Sequence, residues 1–314
     1  MQGIIKKVPI PMAGLMLALA SLGNLLAGYS DVLRGILGGI SFILFLLLVI
    51  KLTLYYKDIL KDLENPVVAS VAPTFFMGMM ILSTYVKNFN QSIAFGVWVI
   101  GLIMHAAYIV YFTKKFILNF DFKKVFVSYF VVYVGIVAAS IPSPLYGMKS
   151  IGQVIFWFGF VSYIILLPLI FYRLLKIKNI PEPAIPTTAI LTAPANLCLA
   201  GYLSAFDEKN KLIIYLLLML SVIMFVAILI YLPSILKLKF YPSFSSLTFP
   251  FVITAIAMKG TNVFFGKSGV NISFFKYYVS FLEILASVMV LYVFINYISF
   301  LFGEREKQEK KITA

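Results

Sequence analysis

Ten stretches of about 20 mostly apolar residues follow one another along this chain, each long enough to cross the ~30 Å hydrocarbon core of a bilayer as a helix. They occupy roughly 11–29, 32–54, 66–84, 92–112, 125–143, 151–173, 186–204, 212–233, 242–260 and 274–298. Short polar links separate them, among them 57–65, 114–124, 176–183 and 207–211. Backbone polar groups find no water in hydrocarbon, so a chain with this pattern spans as helices. Composition agrees. Of the 314 residues 62% are hydrophobic and 12% charged, about half the charge of an ordinary soluble domain. The first apolar run, ending at Tyr29, is followed by Ser30 and Asp31 rather than a small-residue cleavage pattern, and reads as a first span. The expectation is an all-α integral membrane protein with one transmembrane domain over 1–303. A charged cytoplasmic tail follows at 304–314, expected to be frayed and without an assigned function.

The formal net charge of +14 raises nucleic acid as a partner. The Lys and Arg lie between apolar runs and form no contiguous basic stripe, so no nucleic acid is expected. Counted by side of the membrane, eighteen of the 26 Lys and Arg fall on the side of both termini and eight on the other. This bias places both termini in the cytoplasm of a multi-pass plasma-membrane or inner-membrane protein. One Cys (Cys198) and one His (His105) leave no disulfide framework and no His/Cys metal cluster within the chain. Nucleotide and diphosphate motifs are absent, and no GxSx-type segment partners His105 as a nucleophile. No metal, cofactor or catalytic residue is expected, and the chain does not read as an enzyme.

The spans differ by parity. Gly, Ala, Ser, Thr and Pro fill 46 of 95 positions in the odd spans and 21 of 114 in the even ones. Even spans are Leu, Ile, Val, Phe and Tyr nearly all round, as lipid-facing helices are. Small residues let backbones approach or leave free volume along an axis. The expected arrangement is five helical hairpins, with an inner ring of five odd helices lining a pore and an outer ring of five even ones. Three odd spans open with a proline and carry a second one seven or eight residues later: Pro66 and Pro73, Pro186 and Pro194, Pro242 and Pro250. The opening proline costs little at a helix start. The second frees a carbonyl and kinks the helix, which a membrane tolerates beside a cavity or packed protein. Kinks at Pro73, Pro194 and Pro250 would bend the inner helices around one level; accidental kinks in packed helices are the plainer alternative.

At these residues the sequence resembles the tellurite-resistance/dicarboxylate transporter family, which includes TehA proteins and the slow-type anion channels of plant guard cells. The likeness is carried by VPIPMAGL at 8–15, LASLGNL at 19–25, NPVVAS at 65–70 with Pro73, Ala193-Pro194 with Cys198 and Tyr202, and Thr248-Phe249-Pro250. It covers the chain apart from its tail. The resemblance implies a homotrimer with a pore in each protomer, lined by five proline-kinked inner helices and plugged at mid-membrane by the phenylalanine at position 249. It implies passage of small monovalent anions such as chloride and nitrate, or, in other members, transport of malate, sulfite or tellurite. The fifth span departs from the family pattern. It lacks a mid-helix proline, holds Tyr129, Phe130 and Tyr133, and has Pro142 near its end, which adds bulk beside the pore. Met16 likewise stands where some relatives have a second proline.

Phe249 is one of 30 phenylalanines, so core packing is its plain reading. Its place among Ser245, Ser246, Thr248 and Pro250 argues against lipid contact, and a ring closing an apolar tube blocks ions by dewetting. Phe251, about 200° around the helix, is the near alternative. Candidate weak donors to an anion are Ser21, Ser70, Thr74, Ser128, Thr188, Thr192, Ser246 and Thr254, each of which can equally bond to its own helix's carbonyls. Lys259 closes the ninth span, where it either draws anions to the outer mouth or snorkels to the interface. His105 and Glu283 are ionisable groups near the centres of even spans, which favours packing over a proton-coupling role. The leading reading is an anion channel. A secondary transporter of malate, sulfite or a related anion on the same fold stands beside it, although no Arg or Lys clamp for a dianion lies at mid-span.

Overall fold

The computed structural model describes residues 2–270 and 272–312, with side chains over 3–270 and 272–303; the last two residues of the tail lie outside the described residues. Among the described residues the chain is helical without strands. In order it forms α1 (Gln2–Lys7), α2 (Met12–Leu26), α3 (Asp31–Leu54), α4 (Tyr56–Asp62), α5 (Pro66–Val71), α6 (Thr74–Val86), α7 (Gln91–Phe112), α8 (Tyr129–Tyr133), α9 (Lys149–Tyr172), α10 (Ala193–Ala205), α11 (Lys211–Leu236), α12 (Phe249–Lys267) and α13 (Ser273–Ile312). The polar links supply the starts. The side chains of Ser30, Asn65, Asn90 and Asn210 accept backbone N–H groups of the first turns of α3, α5, α7 and α11, groups that a helix leaves without internal partners.

Among the described residues eight segments are long and apolar enough to cross a membrane: Asp31–Leu54, Pro66–Val86, Gln91–Ile117, Lys149–Ile177, Glu182–Ala205, Lys211–Leu236, Pro242–Lys267 and Ser273–Gly303. The chain is thus a multi-pass membrane protein. Two of the ten expected spans are built differently. The first contains a helix of only 15 residues, α2, buried except at Asn24 and Leu26. The fifth is not one helix: it breaks into α8, a 3₁₀ stretch at Gly135–Ala139 and another at Ser143–Tyr146. Its run of Val, Tyr and Phe has poor helix propensity, and Pro142 has no N–H to continue a helix. Neighbours complete its hydrogen bonding. Trp98 Nε1 donates to the Ala139 carbonyl at 3.2 Å, and His105 Nε2 lies 2.9 Å from the Val132 carbonyl. A carbonyl only accepts, so that nitrogen carries the proton. His105, on α7, thus packs against the broken fifth segment.

Burial follows parity. In the hydrophobic windows of Pro66–Val86, Glu182–Ala205 and Pro242–Lys267, 72%, 94% and 67% of residues are buried, against 22–33% in the other five segments. The low-burial helices expose large apolar side chains such as Ile43, Val154, Ile223 and Ile284, as lipid-facing surfaces do. The prolines act as joints. Pro73 separates α5 from α6. Pro194 and Pro250 each sit at the second residue of an α-helix that continues a 3₁₀ stretch, Glu182–Thr192 into α10 and Pro242–Leu247 into α12. Where the sequence led to an expectation of kinks within continuous helices, two of the three are changes of helix type. An 11-residue 3₁₀ run is unusual; Thr187, Thr188 and Thr192 hydroxyls donate to carbonyls three residues back along it. The tail's backbone, expected to be frayed, stays helical to Ile312.

Candidate functional site

Phe249 is the first residue of α12, and its position is fixed from two sides. The Thr248 hydroxyl before it donates to the Ser245 carbonyl at 2.6 Å and the Gly14 carbonyl of α2 at 3.3 Å. Behind it, Thr254 Oγ1 donates to the Pro250 carbonyl at 2.7 Å and accepts from Asn196 Nδ2 of α10 at 2.9 Å. Asn196 in turn accepts from Ser221 of α11 at 2.6 Å. The Phe249 ring faces two cavities. One, of about 40 Å³, lies among Val71, Thr74, Met77, Phe130, Leu197 and Ser246, with Gly14, Gly135 and the prolines Pro194 and Pro250 also on its wall. The other, of about 400 Å³, opens where the odd segments end and is lined by Ser21, Asn24, Ile81, Ile253 and Lys259 among others. A third cavity, of about 480 Å³, opens where the odd segments begin, around Pro9, Asp62, Pro66, Pro183 and Pro242, and Val71 borders both it and the central one. The three form an axial series, interrupted at Val71 and at Phe249. Phe251 turns the other way: it is 1% exposed and meets the Phe225 ring of α11 at 6.2 Å.

Of the hydroxyls singled out in the sequence, Thr74 and Ser246 border the central cavity and Ser21 the one lined by Lys259. Ser70 and Ser128 hydrogen-bond each other between α5 and the residue preceding α8. Thr188 and Thr192 bond to their own helix, and Thr254 serves the Asn196 network. Phe130 of the fifth segment also reaches the central cavity, while Tyr129 packs edge-on against Phe112, at 4.9 Å. Sequence reasoning passed over Val71, Gly14, Met77 and Ser245 as wall residues. Gly14 lay within a quoted motif. A Cβ there would meet Ser245 at 3.2 Å, so the glycine admits the 3₁₀ strand of chain that leads to Phe249. A Cβ at Gly135 would meet the side chains of Met77 at 2.8 Å and His105 at 3.2 Å.

Polar groups cluster at the two mouths. Lys259 lines the 400 Å³ cavity, and its Nζ donates to the Leu25 carbonyl at 3.0 Å and to Glu283 Oε1 at 2.8 Å and lies 4.8 Å from the centre of the Tyr29 ring. Tyr29 donates to Glu283 Oε2 at 2.8 Å. Glu283 is thus not a solitary membrane acid; it is the anchor joining α12, α13 and the end of α2. Arg34 is tied down nearby, donating to Asn24 Oδ1 and to the Thr84 carbonyl. At the opposite mouth Asp62 is the acid on the wall. Partial burial pushes its carboxyl above the usual range, Lys51 and Lys61 pull it down and Asp58 pushes it up.

Buried small-residue segments around a series of cavities, sheathed by apolar helices, define a multi-pass membrane protein. The chain belongs to the SLAC1 family, described as voltage-dependent anion channel, whose model matches residues 7–298. That match takes in every wall residue named above. The chain is also similar to the tellurite resistance protein TehA homolog of Haemophilus influenzae, 28% identical over 207 residues, which is 63% of this chain and 62% of that protein. The aligned part therefore spans less than two thirds of that relative's length. The family resemblance read from the motifs is borne out.

Proposed function

We propose that this protein is an anion channel that passes small monovalent anions, chloride and nitrate among them, along the axial series of cavities, with Phe249 as the plug. One observation carries the reading: the same residue borders both the 40 Å³ cavity and the 400 Å³ one, so displacement of its ring would join them. The wall of the smaller cavity is apolar with a few hydroxyls, and that of the larger one adds Asn24 and Lys259. That combination blocks by dewetting when closed and holds anions weakly when open. No charged side chain borders the central cavity, which speaks for a monovalent ion over a dicarboxylate. In this reading the inner ring is formed by the odd segments, the prolines 73, 194 and 250 shape its waist, and the even helices face lipid or sister protomers of a homotrimer. Both termini and the Asp62 mouth are cytoplasmic, and Lys259 marks the outer mouth, in a plasma or inner membrane.

The test is current from purified protein in a planar bilayer under a chloride gradient, for wild type and Phe249→Ala. Near-silence of the first and conduction by the second, reversing near the chloride potential, is the expected result. Silence of both, with saturable uptake of labelled malate or tellurite, would replace the channel by a coupled transporter. Light scattering of the solubilised particle reads its subunit number, and anything but three removes the trimer.

A further inference from the structure

Hydroxyls inside this protein nearly all have a use. Ser83, Thr84, Thr187, Thr188, Thr192 and Thr261 donate to carbonyls three or four residues back, the ordinary resting place of Ser and Thr in membrane helices. Ser21 departs from this pattern. It is 2% exposed, its Oγ has no partner among the described residues, and it borders the outer cavity next to Phe249. A buried donor without an acceptor is costly and calls for an explanation. Lys259 borders the same cavity. Its ammonium sits on the Leu25 carbonyl, one turn beyond Ser21 on α2 and so displaced along the axis by about 6 Å. Asn24, the other polar wall residue, is already engaged by Thr84 and Arg34.

We infer that Ser21 and Lys259 form a site for one small monovalent anion on the outer side of the Phe249 ring, and that Glu283 is the positioning residue that keeps this site weak. The inference rests on the channel reading above and adds a station to it. The ammonium attracts the ion into the cavity, and the free hydroxyl turns to donate to it as it reaches the ring. An unpaired lysine in a narrow apolar mouth would hold an anion too long for conduction, because a site must be easy to leave as well as to enter. Glu283 answers that. Nearly buried at 6% exposure, it accepts one Lys259 N–H at 2.8 Å and is itself held by Tyr29. Most of the lysine's field is thereby cancelled at short range, while the remaining ammonium hydrogen stays available to the cavity.

The experiment has two arms. In the first, chloride is varied on the outer side of Phe249→Ala channels, and the half-saturating concentration is read for added Ser21→Ala, Lys259→Gln and Glu283→Gln. Glu283→Gln removes the negative charge and keeps one acceptor oxygen for Lys259, while its amide nitrogen can donate to the Tyr29 oxygen in place of accepting from it. It is expected to lower the half-saturating concentration by about tenfold and to reduce the saturating current, as an attraction of this range strengthens. Lys259→Gln is expected to raise that concentration by a similar factor, and Ser21→Ala by about threefold, the worth of one hydrogen bond. A merely structural Glu283 would shift neither value in that direction. In the second arm, the melting temperature of the wild-type protein in detergent is followed with sodium bromide against equimolar sodium gluconate. Bromide should stabilise it, and should do so less in Ser21→Ala and Lys259→Gln. If no variant conducts while bromide protection behaves as stated, the channel reading fails and the site stands. If Phe249→Ala conducts but half-saturation ignores all three substitutions, or bromide protection ignores Ser21 and Lys259, the site is overturned.

Discussion

Replacing Phe249 by alanine removes the one ring that borders both the 40 Å³ and the 400 Å³ cavities. A small anion crossing an apolar constriction must shed water without replacement, a cost of several kcal/mol even when partly compensated. If truncation relieves only about 3 kcal/mol of that barrier, current rises by roughly a hundredfold, at about 1.4 kcal/mol per decade. The stability cost should be modest. A buried Phe→Ala change typically costs about 3–5 kcal/mol, but a ring with open space on two faces has fewer contacts to lose, so about 2 kcal/mol is expected here. Phe251→Ala is the matched control. That ring is fully packed against Phe225, so its loss should cost the full ~3–5 kcal/mol and open nothing. The assay is single-channel current at fixed voltage, beside the melting temperature of each variant. A folded but silent Phe249→Ala, or a conducting Phe251→Ala, would refute the reasoning.

Asp62→Asn should increase current through Phe249→Ala at neutral pH, because the ionised carboxylate at that mouth repels anions. The carboxyl is raised by burial, so as pH falls through its titration Asp62 becomes neutral and the two proteins should converge; recordings across a pH series would show it. Asn196→Leu strands the Ser221 hydroxyl and frees Thr254, and thermal unfolding should reveal a loss of about 2–3 kcal/mol. A Cβ at Gly38 would land on the Tyr85 ring, whose hydroxyl holds the Ala20 carbonyl at 2.6 Å; Gly38→Ala should cost about 1–3 kcal/mol, visible as a lowered melting temperature. The exposed pair Lys149–Asp207, at 2.6 Å, should contribute almost nothing, so Asp207→Asn ought to melt with wild type in physiological salt.

The legible part of the fold came from composition along the helix. Parity of small residues sorted buried from lipid-facing segments, since hydrocarbon-facing positions tolerate bulk and close-packed ones do not; the 94% burial of Glu182–Ala205 against 33% for its neighbour Lys211–Leu236 follows that sorting. The fifth segment resisted because its hydropathy is that of a span while its backbone depends on Trp98 and His105, which lie 41 and 27 residues away from the carbonyls they meet. Among the hydroxyls, residue type was equally uninformative. Ser21 and Thr192 read alike as letters, and only the neighbouring carbonyls decide that one is satisfied and the other is not.

Apolar length and the distribution of Lys and Arg are local properties, so the sequence alone determined that this chain crosses a membrane many times and which segments are rich enough in small residues to be enclosed. Which of 30 phenylalanines lies between the two cavities is not local. It depends on Thr248 reaching Gly14 and on Asn196 reaching Thr254, contacts spanning 234 and 58 residues. The pairing of Glu283 with Lys259 and Tyr29, the latter 254 residues away, is of the same kind: two charges and a phenol whose meaning exists only once three helices bring them within 3 Å.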